Sequence, residues 1–262
     1  MFFFPILKAP DAGGFTTLCN FSPNNWEVNC VNSQIVSLTY ASDGMWHSHQ
    51  LGALKNNEYK TFDSIEIERL LPKGEVPLLS LSRIPLPDVS EEIPIPETLE
   101  TTAPTWRSTL GLYTEYTSTS YQGEIPVFPS GISFLSFPPF FQAREEGVEN
   151  YALLCNIEKD PIHREVEIEI YNAKNKALLG TRTAVSNQVN VISLDDLGLN
   201  EKILPVMSCK NMAFVPLYFS RTKDGNFLSL EHTHPPASLV THGDRFGAQK
   251  HLKQLWFSQL LK

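Results

Sequence analysis

The segment from Tyr151 to Leu197 begins YALLCNIEKDPIHREVEIEIYNAKNKALLG, ends NVISLDDL, and decides the fold of this 262-residue chain. Within it, acidic and apolar residues alternate strictly over EVEIEI, residues 165–170. Such alternation is typical of a β-strand with one buried and one solvated face. Asn172 and Asn175 then indicate a hairpin turn. The segment therefore predicts antiparallel strands.

A similar arrangement occurs nearer the start of the chain. Three pairs of segments match: TTLCN with ALLCN, IVSLTYASDGMW with VEIEIYNAKNKA, and VPLLSLSR with VPLYFSR, the last pair ending at Arg83 and Arg221. Internal similarity of this kind indicates tandem units. Asp43 and Gly44 supply the hairpin turn in the first copy. We therefore predict an all-β chain of two tandem antiparallel β-sandwich domains related by internal duplication.

The predicted boundaries follow from proline and acidic content. Residues 1–88 form the first β-sandwich, 89–105 a Pro/acidic linker that we expect to be extended and solvated, and 106–262 the second β-sandwich. The Thr- and Tyr-rich sequence after the linker predicts further strands. Near the C-terminus, Asp244 can cap a short α-helix with apolar residues at helical spacing, namely Leu252, Leu255, Trp256 and Leu260.

Composition narrows the function classes. The formal net charge of −8 disfavours binding to a phosphate backbone. No apolar run approaches the roughly 20 residues of a membrane helix, and the N-terminus lacks a basic leader segment. The four cysteines show no CxxC spacing, which favours buried structural thiols. We expect a cytoplasmic protein that binds neither nucleic acid nor membrane.

The sequence ALLCNIEKDPIHREVEIEIYNAKNKALLGTRTAVSNQVNVISLDDL resembles the sensory rhodopsin transducer family of small β-sandwich proteins. The shared features are a Leu-x-Asn strand end, an acidic turn, an alternating strand, a hairpin and a closing Asp-Asp-Leu. The resemblance implies a self-associating binding or relay module rather than an enzyme, and hence a homo-oligomer. The second copy, the linker and the C-terminal helix depart from the family pattern, so oligomer size and partner do not carry over.

Two His-x-His pairs are the most suggestive chemical feature. His47 and His49 form one pair, and His232 and His234 form the other. Residues two apart on a strand point to one face with Cα atoms roughly 6–7 Å apart, which is close enough to share a metal. The alternative is that these are hydrogen-bonded or exposed histidines beside turns. The pairs do not occupy equivalent positions in the two copies.

The C-terminal pair has further candidate ligands nearby in sequence. A metal site would use His232, His234 and His242, with Glu231 or Asp244 as the catalytic acid or base. Three imidazoles suit zinc and leave a position for water. The loop THGDRFG, residues 241–247, also contains Arg245, which can bind a carboxylate or phosphate. Its alternative role is a helix-entry loop capped by Asp244.

Motifs of common enzyme classes are absent from the sequence. It has no G-x-S-x-G elbow, phosphate-binding P-loop or dinucleotide fingerprint. Trp26, Trp46 and Trp106 are candidates for stacking on sugar rings, although aromatic residues in a sandwich are more often core. We therefore expect a non-catalytic protein that binds a carbohydrate, another small polar ligand or a protein partner, with His47, His49 and Arg245 as candidate ligand-binding residues. The alternatives are a zinc-type enzyme and an oligomeric scaffold.

Overall fold

The computed structural model describes residues 3–20, 33–96, 108–128, 133–136, 147–172, 175–198, 203 and 205–232. The regular structure in these ranges is almost entirely β-strand, with one short α-helix, α1 (Ser64–Glu68), and a 3-10 turn at Asp195–Leu197. Every pair of named strands is antiparallel. The prediction of an all-β antiparallel fold is therefore confirmed. The predicted C-terminal helix lies outside the described residues.

None of the helices in the described ranges is long and apolar enough to cross a membrane. In the first half of the chain, the described residues form nine strands, and α1 comes after the fifth of them. They are β1 (Phe4–Pro5), β2 (Gly13–Asn20), β3 (Ser33–Ser42), β4 (Met45–Lys55), β5 (Glu58–Asp63), β6 (Leu78–Ser82), β7 (Val89–Ser90), β8 (Thr109–Tyr113) and β9 (Ser118–Gln122).

In the second half, the described residues form eight strands, and the 3-10 turn comes after the fifth of them. They are β10 (Ser133–Ser136), β11 (Val148–Cys155), β12 (Glu165–Asn172), β13 (Ala177–Val185), β14 (Val189–Ser193), β15 (Pro205–Cys209), β16 (Val215–Thr222) and β17 (Leu228–His232). The strand–turn pattern predicted from Tyr151 to Leu197 thus corresponds to β11 through the 3-10 turn.

The described strands form four sheets that fall into two sets with the same connectivity. The first unit contains the sheets β1-β6-β3-β4-β7 and β5-β2-β8-β9, and the second unit contains β10-β15-β12-β13 and β14-β11-β16-β17. When β7 is set aside, the strands of the two units correspond one to one in chain order. Descent from a duplicated unit remains a prediction, for which this correspondence is the structural argument.

Strand pairing supports two of the three sequence matches and overturns the third. Cys19 and Cys155 lie on corresponding strands, β2 and β11, and Tyr40 and Tyr171 lie on β3 and β12. Arg221, however, lies in β16, whereas the strand that precedes Arg83 is β6, whose counterpart is β15. Both segments are buried strands, so their compositions converge although they pair with different neighbours.

The predicted domain boundaries do not coincide with the sheets. Val89–Ser90 pairs with β4, and Ile93 is buried in the core, so the start of the predicted linker belongs to the first unit. Strands β8 and β9 come after that linker but extend the sheet of β2. A boundary at residue 106 would therefore divide one sheet, because the partner of β2 lies about ninety residues further along the chain.

The second unit encloses its own core between two facing sheets. Val166, Ile168 and Ile170 of β12 are buried there, while the alternating glutamates of the same strand face outward. The opposing sheet contributes Leu154 and Tyr218. The alternation over residues 165–170 therefore behaves as the sequence predicted, with one dry and one wet face.

In the sheet β14-β11-β16-β17, strands β11 and β16 have buried residues on both faces because the outer face of the sheet packs against the first unit there. On that face Leu153, Leu217 and Phe219 belong to one continuous apolar cluster with Phe3 and Leu112 of the first unit. Burying an apolar face against another layer is what makes a multilayer β structure stable. The two units are thus joined by a core.

Arg221 forms a polar connection between the units. Its guanidinium lies 2.7 Å from the carboxylate of Asp11 in the first unit, and its side chain is only 9% exposed. The same group donates from Nε to Glu149 at 2.8 Å, and the Tyr151 hydroxyl donates to Glu149 at 3.2 Å. Burial alone would lower the pKa of Arg221, but these carboxylates raise it. The arginine therefore stays charged and joins two carboxylates.

Lys159 forms a second connection. Its carbonyl oxygen accepts hydrogen bonds from Trp46 Nε1 at 3.0 Å and from the Ile93 amide at 2.9 Å. Its ammonium group pairs with Glu92 at 2.6 Å. The loop after β11 is therefore fixed to the first unit by backbone as well as side-chain contacts.

Candidate functional site

His47 and His49 lie on one face of β4 beside Tyr40. The Tyr40 ring stacks on His47 with centroids 5.4 Å apart, and it is tilted against His49 at 5.7 Å. His47 Nε2 lies 3.2 Å from the Ser42 carbonyl oxygen, and His49 Nε2 lies 3.2 Å from the Tyr40 hydroxyl. One nitrogen of each ring is therefore occupied by the protein itself.

Tyr40 keeps its proton at neutral pH. Burial raises the pKa of Tyr40, and the negative charges of Glu75 and Asp43 raise it further. Among the described residues no group of three or more His, Cys, Asp or Glu side chains is arranged to hold a metal ion. The described side-chain contacts of His47 and His49 are all with Tyr40 and Ser42 of the same hairpin. A ligand-binding role for the two histidines therefore stays a prediction.

His232 and Glu231 are adjacent in β17 and therefore project from opposite faces of the sheet. His232 faces the first unit, where its ring stacks on Tyr121 at 5.2 Å with an interplanar angle of 10°. Glu231 is exposed on the other face. These two side chains do not converge on one metal or substrate. The remaining members of the predicted C-terminal set lie outside the described residues: His234, His242, Asp244 and Arg245.

Trp46 is not a sugar platform. The side chain is only 1% exposed, and its indole nitrogen donates to the Lys159 carbonyl between the two units. A buried indole with a satisfied donor is a packing residue. Trp26 and Trp106 lie outside the described residues.

The outer face of the sheet β5-β2-β8-β9 forms a different candidate site, which sequence reasoning did not find. Strand register places three aromatic residues and a row of hydroxyl and amide side chains on this face. We call it the hydroxyl–aromatic face. Its members are Phe15, Thr17, Tyr59, Thr61, Thr109, Tyr113, Ser118, Ser120 and Gln122, all of which are exposed or partly exposed.

Two glycines allow the rings of Phe15 and Tyr113 to lie close to the sheet. A Cβ atom at Gly111 would be 2.1 Å from the tip of the Phe15 ring, and a Cβ atom at Gly13 would be 2.4 Å from the Tyr113 ring. Each ring therefore covers the backbone of the neighbouring strand, where a side chain would otherwise stand. The ring centroids are 6.4 Å apart. The two ring planes are inclined at 45° to each other, so the rings form a tilted pair against the sheet.

Tyr113 is held in this position by its hydroxyl group. A hydrogen bond to Asp63 is the largest cause that raises the pKa of Tyr113, and burial adds to it. Asp63 also caps α1 by accepting from the Ile65 amide at 2.7 Å. The carboxylate therefore orients the ring from the end of β5 and is itself already engaged.

The hydroxyl–aromatic face carries little charge. Asp63 is the one carboxylate that the register of the four described strands places on it. The Thr17 and Thr61 hydroxyls lie 2.9 Å apart and hydrogen-bond to each other. On a protein with a formal charge of −8, a nearly neutral face of hydroxyl groups and rings favours an uncharged polar ligand.

The corresponding face of the second unit has a different composition. There the matching positions in β11 and β16 are apolar and buried against the first unit. Where the first unit has Phe15, Thr17, Thr109 and Gly111, the second has Tyr151, Leu153, Leu217 and Phe219. Of two topologically matching faces, one is thus built for packing and the other is polar and open.

A reciprocal sequence pattern marks the hydroxyl–aromatic face. Gly13 precedes Phe15 by two residues on β2, and Gly111 precedes Tyr113 by two residues on β8. In the antiparallel register Gly13 lies opposite Tyr113, and Phe15 lies opposite Gly111. The two Gly-x-aromatic patterns are visible in the sequence, but they become a signal only when these two strands are known to pair.

Comparison with known proteins gives no independent identification: no protein-family model matches the chain, and no similar protein was found among the curated proteins or the solved structures. The resemblance to the sensory rhodopsin transducer family therefore stays a prediction. Function must be inferred from the geometry of the described residues.

Proposed function

We propose that the chain is a non-catalytic carbohydrate-binding protein that holds a neutral glycan on the hydroxyl–aromatic face. The placement of the Phe15 and Tyr113 rings over glycine backbone carries the proposal. The C–H groups of a pyranose ring pack well on the exposed face of an aromatic ring, while its hydroxyl groups need donors and acceptors at the margin. The face offers both kinds of contact side by side.

The side chains at the margin suit a ligand that is itself rich in hydroxyl groups. Thr17 and Thr61 each have a hydroxyl that can donate or accept, and Ser120 is exposed beside the ring of Phe15. An anionic ligand would find no cationic side chain among the described residues of this face to offset its desolvation. A neutral sugar has a smaller free-energy cost of desolvation than an anion, and its hydroxyl groups can form new hydrogen bonds with the side chains of this face.

The shortage of carboxylates supports binding without catalysis. Glycoside hydrolysis ordinarily uses two Asp or Glu residues that flank the scissile bond. Among the described residues of this face Asp63 stands alone, and it already caps α1 and holds the Tyr113 hydroxyl. We therefore propose a binding protein in which the rings of Phe15 and Tyr113 stack on the sugar.

Affinity electrophoresis through gels that contain hydroxyethylcellulose, xylan, glucomannan or soluble starch tests the proposal. We expect at least one polysaccharide to retard the full-length protein and Phe15→Ala to abolish the retardation. Phe227→Ala is the matched control, because Phe227 is an exposed phenylalanine on a turn of the second unit, at 55% exposure. Unchanged mobility in all four gels, or equal retardation of wild type and Phe15→Ala, would overturn the proposal.

A further inference from the structure

We infer that the glycan crosses the four strands of the hydroxyl–aromatic face nearly perpendicular to them, and that the face recognises an internal stretch of a long chain rather than a chain end. This inference rests on the proposed carbohydrate function. It concerns the direction and the length of the ligand, which the arrangement of the side chains determines.

The aromatic rings point across the strands. Phe15 belongs to β2, and its ring covers Gly111 of the neighbouring strand β8. Tyr113 belongs to β8, and its ring covers Gly13 of β2. The Tyr113 hydroxyl reaches Asp63 at the end of β5. The two rings therefore extend in opposite directions along the same cross-strand axis, and together they form a strip over β5, β2 and β8.

A row of polar side chains runs parallel to this strip. Thr61, Thr17, Thr109 and Gln122 are directly opposite one another on successive strands. With strands about 4.8 Å apart, the row is ~14 Å long, and it lies ~7 Å from the row of Phe15 because two residues separate them along the strand. A chain laid across the strands contacts rings and hydroxyls together along its length, whereas a chain laid along a strand would meet each row once.

The outward side chains at both ends of the strip are exposed. The sheet ends at β5 on one side and at β9 on the other, where β17 of the second unit lies beside it, and the exposed outward residues at these ends are Thr61 and Ser120. A ligand on the outward face can therefore contact side chains on both edge strands. A site of this shape reads the repeating surface of a polymer, so its affinity grows with the number of sugar units in contact.

Isothermal titration calorimetry measures how the affinity depends on ligand length. The probes are oligosaccharides of two to eight units from whichever polysaccharide retards the protein, each also with its reducing end converted to the alditol. We expect affinity to rise over the first several units and then level off, and the longer alditols to bind within twofold of the parent sugars.

Three variants test the direction. Thr61→Val and Gln122→Ala change the two opposite ends of the cross-strand row, and Thr183→Val is a control at an exposed threonine of β13, outside this face. We expect Thr61→Val and Gln122→Ala each to weaken the longest ligand about fivefold, the factor for one net hydrogen bond of about 1 kcal/mol, and Thr183→Val to leave affinity within twofold. Thermal unfolding of all three variants checks that the fold is retained.

The outcomes separate the two proposals. If no polysaccharide binds, the carbohydrate function itself fails. If a polysaccharide binds through Phe15 but a disaccharide binds as tightly as an octasaccharide, or the alditols lose affinity at every length, recognition of an internal stretch is refuted. If either Thr61→Val or Gln122→Ala leaves the affinity for the longest ligand within twofold of the wild type, the cross-strand direction is refuted.

Discussion

Removing Arg221 should weaken the contact between the units more than removing the exposed carboxylate of Asp11. Arg221→Ala leaves a cavity beside Glu149 and removes the cation that pairs with its carboxylate. Breaking a buried ion pair lowers the free energy of unfolding by about 3–5 kcal/mol. The Glu149 side chain is 23% exposed, so water offsets part of this loss and the expected value lies near the lower limit. Asp11 is 79% exposed, so Asp11→Asn should cost only about 0–1 kcal/mol.

The measurement is urea unfolding of the full-length protein, followed by tryptophan fluorescence. The double variant Arg221→Met, Glu149→Gln is the decisive control, because it removes both buried charges and keeps most of the packing. We expect it to recover most of the stability lost in Arg221→Ala. If Arg221→Ala costs less than about 1 kcal/mol, or if Asp11→Asn costs as much as Arg221→Ala, the assignment of Arg221 as a buried cation joining the units is refuted.

Three further predictions concern a thiol, a turn and a metal. Burial raises the pKa of Cys155 from 9.0 to about 12. The protonated thiol therefore contributes its full share of stability below pH 9, and this share is lost as the pH rises toward 12. Cys155→Ala should flatten the alkaline loss of stability. Rapid reaction of the native protein with a thiol reagent would contradict the burial of Cys155. Gly44→Val should cost about 1–2 kcal/mol in urea unfolding because Gly44 has φ +74° in the β3–β4 turn; an unchanged midpoint would contradict that strain. Glu231→Gln should leave the zinc content of the purified protein unchanged, because Glu231 and His232 project from opposite faces of β17; zinc that the wild type binds and Glu231→Gln loses would contradict this placement.

Local patterns in the sequence were sufficient for the strand class and the turns. The alternation over residues 165–170 gives one buried and one exposed face, and Asp43 and Gly44 both adopt positive φ at the tip of the predicted hairpin. These features depend on neighbouring residues, so a single sequence carries them. The all-β fold could be predicted from the same signals.

Long-range pairing could not be predicted in the same way. The match between the segments at Arg83 and Arg221 failed because buried strands resemble one another, and the boundary at 106 failed because β8 returns to pair with β2. Nothing in the local sequence of β8 specifies that partner. Strand register across a separation of this size depends on the whole fold.

The hydroxyl–aromatic face was missed for the same reason. Histidine pairs attract attention because their chemistry is evident from residue type, whereas Phe15 and Gly111 acquire meaning only as cross-strand neighbours. Taken one at a time, the aromatic residues of the sequence suggest either sugar platforms or core. A platform made from two rings and two glycines is a property of register.

The contrast between the matching faces of the two units sets a limit on how such units can be stacked. The first unit rests on an apolar sheet of the second, so a third unit added in the same manner would rest on the hydroxyl–aromatic face. It would have to bury the hydroxyl groups of Thr17, Thr61 and Thr109 where the second unit offers leucine and valine side chains. In proteins built from stacked units, a polar outer surface on the last unit ends the array. This face is therefore unsuited to receive a third unit stacked in the same way.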